Sequence, residues 1–251
     1  MAMSKFAKSE AVNEGKASRL GKIIMPSCDI VTGEIPTMSV VEDRFFISRN
    51  FFAAQLNHET ESGIMMSCHV PDNNSSLLTS IHFILSNGLR IDLQSIEIPR
   101  IIAQAVSRNP GRYTTDFLGM TNEEYCHWIM NPDHCQGAIE LAILSEYLEM
   151  EIIVIDCFSL AMNRFGEHKN YTNRAFLIYD DKHYDPLLYE RNNLWWTIFL
   201  ASDDAALQMA LEVAQEMKII FTLYCPACNA LLHGDKEARA HVNATGHKEF
   251  E

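Results

Sequence analysis

Six residues, Glu151-Ile152-Ile153-Val154-Ile155-Asp156, constrain the fold of this chain more than any others. A continuous β-branched run leaves no polar side to face water, so it fits a central strand buried on both faces rather than a half-exposed one. Such a strand needs covering layers, and the flanking sequence supplies them. Gly137 to Tyr147 reads as an amphipathic helix with Ile139, Ile143, Leu144 and Tyr147 inward. Thr121-Asn122-Glu123-Glu124 is a capping box opening a helix through Ile129. Pro99 to Ser107 is a further helix, broken by Asn109-Pro110-Gly111. Upstream, Leu77, Leu78, Ile81, Ile84 and Leu85 recur at helical spacing directly after a polar turn, Asp72-Asn73-Asn74-Ser75.

Strands dominate the second half. Arg174 to Tyr179 and Trp196 to Leu200 read as strands, and His183-Tyr184-Asp185 begins or ends another after an Asp180-Asp181 turn. Ile64-Met65-Met66 predicts a short strand near the start of the ordered region, and Asp203 to Met217 a helix capped by Asp203 or Ser202. Helices gathered early and strands gathered late predict an α+β fold, a central sheet between helices. The expected organisation is a loosely ordered leader over 1–62, a main domain over 63–218 and a small module over 219–251. Within the leader, Arg44 to Ser48 and Phe51-Phe52 form one apolar segment without a usable period.

The module is defined by Cys225-x2-Cys228, twelve residues, His241, five residues, His247. That is two-cysteine, two-histidine zinc-finger spacing. The thiolates come from the knuckle Cys225-Pro226-Ala227-Cys228 and the imidazoles from a helix over about Lys236 to Ala244 and its end. Four ligands leave no open coordination position, so the Zn²⁺ is structural. Leu231 and Val242 are the expected apolar core of the module. Its basic residues Lys236, Arg239 and Lys248 are outnumbered by Asp235, Glu237, Glu249 and Glu251, and the whole chain carries a net charge of −13. Phosphate binding needs the opposite sign, so nucleic acid is not an expected partner. No apolar run is long enough to cross a membrane. Seven scattered cysteines and no secretory signal point to a reducing compartment, the cytoplasm.

Ser76 stands at the first turn of its helix, where unpaired N–H groups favour a developing negative charge. From Val70 to Ile81, through Thr121 to Ile129, Gly137 to Glu140, Arg164 to Glu167, Leu177 to Leu187 and the finger, the chain resembles the ovarian-tumour (OTU) deubiquitinases. The finger matches the branch of that family that works with the AAA ATPase valosin-containing protein in degrading endoplasmic-reticulum proteins. The resemblance implies the OTU cysteine-peptidase fold, a ubiquitin thioesterase or isopeptidase activity, and ubiquitin or polyubiquitin as partner. It places the nucleophile position at Ser76, the general base at His183 and the acidic residue before the nucleophile at Asn73. Asp185, two residues beyond His183, shares its strand face and orients the imidazole. Asn122 and the Asp180–Lys182 loop, with Asp180 and Asp181, are expected to flank the ubiquitin tail.

Two departures bear on activity. The family's Asp-Asn-Ser-Cys reads Asn73-Asn74-Ser75-Ser76 here, and its Trp-Gly-Gly reads Cys135-Gln136-Gly137. The branch's N-terminal ubiquitin-like domain is also not expected in the leader. A thiol works by being ionised beside a histidine; a hydroxyl must lose its proton during attack and needs tighter geometry. The leading expectation is a catalytically impaired OTU relative that still engages ubiquitin. Two alternatives stand beside it: an active hydrolase using Ser76 with His183, and a zinc-finger adaptor with a vestigial cleft. Cys68, Cys126, Cys135 and Cys157 read as small core or semi-buried residues, with Cys135, in the altered loop, kept as a substitute nucleophile.

Overall fold

The run Glu151–Asp156 is buried from its first residue to the fifth of the six. It lies in strand β2 (Met150–Asp156), inside a seven-stranded sheet with the path β1-β5-β4-β2-β3. The computed structural model describes residues 53, 56, 63–71, 75–89 and 98–251. The rest of the leader, the apolar segment at Arg44–Phe52 and the residues Asp72, Asn73 and Asn74 lie outside the described residues.

β2 runs parallel to β4 (Asn173–Tyr179) and antiparallel to β3 (Met162–Phe165). β5 (Tyr184–Arg191) is antiparallel to β4 on one side and to β1 (Ile64–Ser67) on the other. Alternation along β2 divides the core. Ile152 and Val154 face a layer built from α1 (Ser76–Leu89), α2 (Ile98–Arg108), α4 (Asn122–Trp128) and α5 (Ala138–Leu148). A single turn, α3 (Thr115–Leu118), joins α2 to α4. Ile153 and Ile155 face α6 (Asp204–Ile220) through Ala206, Ala210, Val213 and Ala214. Each fully buried Ile or Val stabilises such a layer by about 1.5–3 kcal/mol. The sheet is therefore sandwiched, and the one polar residue buried in its central strand, Glu151, is kept there by pairing with Arg164 and Arg174.

The expected helix starts hold. Thr121 Oγ1 accepts from Glu124 N while a Glu124 carboxylate oxygen accepts from Thr121 N, the reciprocal cap that opens α4. Asp203 caps α6 by accepting from Ala205 N and Ala206 N. α5 is buried more fully than an amphipathic reading requires. Glu140 and Ser145 are buried with Leu141, Ile143, Leu144 and Leu148, whereas Ile139 and Tyr147 are only half-buried. Glu140 is kept there by accepting from Gly137 N at 2.6 Å and from the Tyr125 hydroxyl, and Ser145 Oγ donates to Met150 O.

One expected strand is two. Trp196–Leu200 divides into β6 (Leu194–Trp196), paired with β5, and β7 (Ile198–Leu200), paired with β4. Thr197 stands between them, fully buried, and its Oγ1 donates to Ile84 O of α1 at 2.9 Å. Anchoring that residue to the helical layer turns the chain from one strand partner to another. β3 is the element without a period of its own: two exposed and two half-buried residues that gain strand form only from β2.

Candidate active-site cleft and zinc centre

The cleft forms where α1 begins and β5 begins. Ser76 is the first residue of α1, and its buried Oγ accepts from Tyr184 N at 3.3 Å. Four residues on, Ser80 Oγ donates to Tyr184 O at 2.7 Å. These two bonds clamp the helix start to the residue following His183, so sequence positions more than a hundred apart meet at one place. His183 itself is held at the head of β5 by an Asx-type turn, in which Asp180 Oδ1 accepts from Lys182 N and His183 N. Asp181, inside the same turn, takes a left-handed backbone at φ 76°.

Asp185 lies beside the imidazole, its Oδ1 at 3.0 Å from His183 Nε2. The same oxygen accepts from Val70 N at 3.0 Å, and Oδ2 lies 3.2 Å from His69 Nδ1. Strand pairing produces this convergence. β1 and β5 pair from Ile64↔Glu190 to Ser67↔Leu187, and Cys68 N donates to Pro186 O, so the next residues, His69 and Val70, run alongside Asp185. His69 is the member that sequence reasoning missed. No spacing signal marks it; only the β1–β5 register brings it to the carboxylate.

The other expected residues fall as follows. Asn73 lies outside the described residues. Asn122 has its amide engaged within the fold, donating to Val106 O at 2.9 Å and Tyr113 O at 3.3 Å, which ties the start of α4 to the end of α2. Cys135 is exposed, while the adjacent Gln136 is buried. Burial pushes the Cys68 thiol up to about 11 and the Cys157 thiol up to about 12, with neighbouring carboxylates adding to both. Cys126 is raised in the same direction, again by burial first. Those three thiols are protonated at neutral pH and are poor nucleophiles.

The metal ligands converge as their spacing implies. Strands β8 (Thr222–Cys225) and β9 (Ala230–His233) form a hairpin around the cysteine knuckle, and α7 (Gly234–Thr245) carries His241. His247 follows the left-handed cap at Gly246. Cys225 Sγ is 3.5 Å from His247 Nδ1 and Cys228 Sγ is 3.6 Å from His241 Nε2, with all four ligand atoms within 4.8 Å of one another. Two sulfurs and two imidazole nitrogens at that separation fit a tetrahedral structural Zn²⁺. The expected module core needs correction. Leu231 is 63% exposed and Val242 only half-buried, while Leu232 and Ala238 are buried. Strand alternation decides it: Leu232, opposite Leu223, points inward, so its neighbour cannot.

The module packs against the main domain. Gly234, at φ 72°, lies against the Phe158 ring, which also meets the Phe221 ring edge-on. Lys182 Nζ reaches Asp235 at 2.8 Å and Lys236 Nζ reaches Asp181 at 3.6 Å, so charges cross both ways between α7 and the loop that holds His183.

Residues 220–251 match the family model for the C-terminal C2H2-type zinc finger of ubiquitin thioesterase OTU1. The chain is 42% identical to human ubiquitin thioesterase OTU1 over 194 residues, covering 72% of this chain and 55% of that protein. The chain is a homologue of the OTU1 ubiquitin thioesterases. The Drosophila pseudoobscura member is 42% identical over 201 residues, covering 76% of this chain and 56% of its own length. The chain thus spans about half the length of these curated OTU1 relatives. The fold agrees with a solved OTU domain in complex with ubiquitin, at a TM-score of 0.54 and 23% identity, covering 70% of this chain and 98% of that one. No helix among the described residues is long and apolar enough to cross a membrane.

Proposed function

We propose that this OTU1 homologue engages ubiquitin or polyubiquitin in protein degradation and is catalytically impaired. One observation carries the reading. The OTU frame keeps His183 and Asp185 paired beside the start of α1, but the side chain presented there is a hydroxyl, Ser76 Oγ, which accepts from Tyr184 N. A thiol at that position would be ionised in advance by a histidine and a helix N-terminus; a hydroxyl retains its proton until the moment of attack. A misplacement on the order of 1 Å costs roughly a hundredfold in rate, and oxygen bonds closer to carbon than sulfur does. The buried Cys68 and Cys157 and the half-buried Cys126 offer no replacement, because desolvation disfavours their thiolates.

In this reading Ser76 occupies the nucleophile position, His183 the base and Asp185 its orienting carboxylate, with Asn73 at the family's acidic position before the nucleophile. Asp180 and Asp181 border the ubiquitin tail by shaping the His183 loop, and Asn122 positions the opposite wall. The main domain over 63–218 binds, and the zinc module over 219–251 supports it or contributes a contact. By analogy with the branch, work alongside valosin-containing protein in the cytoplasm completes the proposal.

The test uses purified protein with polyubiquitin chains and a ubiquitin carrying an electrophile at its C-terminus. The unmodified chain binds without cleaving, and the Asn73→Asp, Ser76→Cys double variant cleaves and forms the adduct. Cleavage by the unmodified chain that stops on Ser76→Ala would establish the serine hydrolase instead. If neither form binds ubiquitin, the cleft is vestigial and the finger adaptor reading takes its place.

A further inference from the structure

We propose that His69, His183 and Asp185 form a second metal site, separate from the finger and suited to Zn²⁺. The ligand atoms are one ring nitrogen from each histidine and a carboxylate oxygen of Asp185, all within 4.8 Å of one another. Two of the three edges are already short, 3.2 Å from His69 Nδ1 to Asp185 Oδ2 and 3.0 Å from His183 Nε2 to Asp185 Oδ1. Ligands bound at about 2.0–2.2 Å around a tetrahedral Zn²⁺ stand roughly 3.3 Å apart, so each nitrogen is already at ligand spacing from one carboxylate oxygen, and binding through both oxygens or a turn of the carboxylate brings the two nitrogens to one ion. The third edge closes by rotation of His69, whose side chain is 68% exposed and has room to turn. The two rings already lie with centroids 5.0 Å apart and planes tilted by 33°.

The donor set is chemically specific. Two imidazoles and one carboxylate suit Zn²⁺ and its first-row neighbours, whereas Mg²⁺ and Ca²⁺ take oxygen donors. The carboxylate is also held from behind, because Asp185 Oδ1 accepts from Val70 N at 3.0 Å. Such an outer hydrogen bond fixes a ligand's orientation before the metal arrives. Asp185 lies in β5, and His69 and His183 stand within two residues of the paired β1 and β5. A fourth position, on the exposed His69 side, stays open to water or another anion.

The arrangement goes beyond an orienting carboxylate. An imidazole base needs one acid partner on Nε2, and Asp185 Oδ1 meets that need. His69 on Oδ2 adds a second nitrogen that the base does not require. Metal binding would take His183 Nε2 away from Asp185 and remove the base from acid–base work. The assignment does not depend on whether the cleft receives ubiquitin.

The experiment is a cobalt titration of the metal-free full chain, with zinc content measured in parallel after gel filtration. The finger, with its two thiolates, takes Co²⁺ with strong thiolate-to-metal charge-transfer absorption. The proposed site adds a second equivalent that shows only weak ligand-field bands, since it has no sulfur. His69→Ala, at an exposed position, should lower zinc from two ions per chain to one and abolish the second cobalt phase, leaving the finger's spectrum intact. Asp185→Asn should act in the same direction. A single equivalent in the unmodified chain, or a second equivalent that survives His69→Ala, would overturn the assignment.

Discussion

Replacing Gly234 by alanine would test whether the zinc module is packed onto the main domain or merely tethered to it. Gly234 has φ 72°, and a Cβ built there would lie 2.5 Å from Phe158 Cζ and 2.9 Å from its neighbour in the ring. The left-handed backbone costs a non-glycine residue about 1 kcal/mol. Forcing the half-buried Phe158 ring aside adds roughly 1–2 kcal/mol, the lower part of the range for overpacking, because the ring edge can yield. The sum, about 2–3 kcal/mol, corresponds to roughly a 30- to 150-fold rise in opening of the module at about 1.4 kcal/mol per tenfold. Gly246 supplies the control. It lies in the same module at φ 77°, but a Cβ there meets nothing within 4 Å, so alanine carries the backbone cost alone, about fivefold. Amide hydrogen exchange over Thr222–Cys225, in the zinc-loaded protein, reads the opening directly. Equal effects of the two substitutions would refute the packing argument and leave the finger hanging on its linker.

Four further outcomes follow from the same structure. Glu151→Ala leaves Arg174, which is as buried as Glu151, without its carboxylate partner at 2.6 Å, and leaves Arg164 with Glu167 alone. Breaking a buried pair from one side costs about 3–5 kcal/mol, visible as a large fall in thermal midpoint. Thr121→Ala removes the reciprocal cap of α4 and should cost about 0.5–2 kcal/mol in a denaturant titration. Iodoacetamide at neutral pH should label Cys135 rapidly and spare Cys68 and Cys157, whose thiols stay protonated until pH approaches about 11 and about 12. The sign is fixed by burial. In the unfolded chain these thiols ionise nearer their ordinary 9, so their contribution to stability is present below pH 9 and lost as pH rises toward the folded values. Finally, chelating the finger's Zn²⁺ should melt β8, β9 and α7, read by loss of amide protection there while the β2 and β4 amides stay protected.

Much of this molecule is legible along the chain because it is written in local periods. The β-branched run had to be a buried central strand, since no alternation was available to expose either face. Helical spacing after Ser76, the Thr121–Glu124 box and the Asp203 cap marked real helix starts, because caps and stripes act within one or two turns. The zinc ligands were readable for the same reason: a knuckle and a short helix bring four side chains together over a few dozen residues. What the tertiary structure decided involves partners far apart in sequence. Thr197 breaks a strand because α1, 113 positions earlier, takes its hydroxyl. His69 reaches Asp185 across 116 positions because the β1–β5 register carries it there. Gly234 meets Phe158, and Leu232 replaces Leu231 in the module's core, through packing and strand parity that no window of sequence contains. Local hydrogen bonding and side-chain period are properties of neighbouring residues, whereas the cleft is a property of how the sheet pairs, and pairing is settled only when the whole core closes.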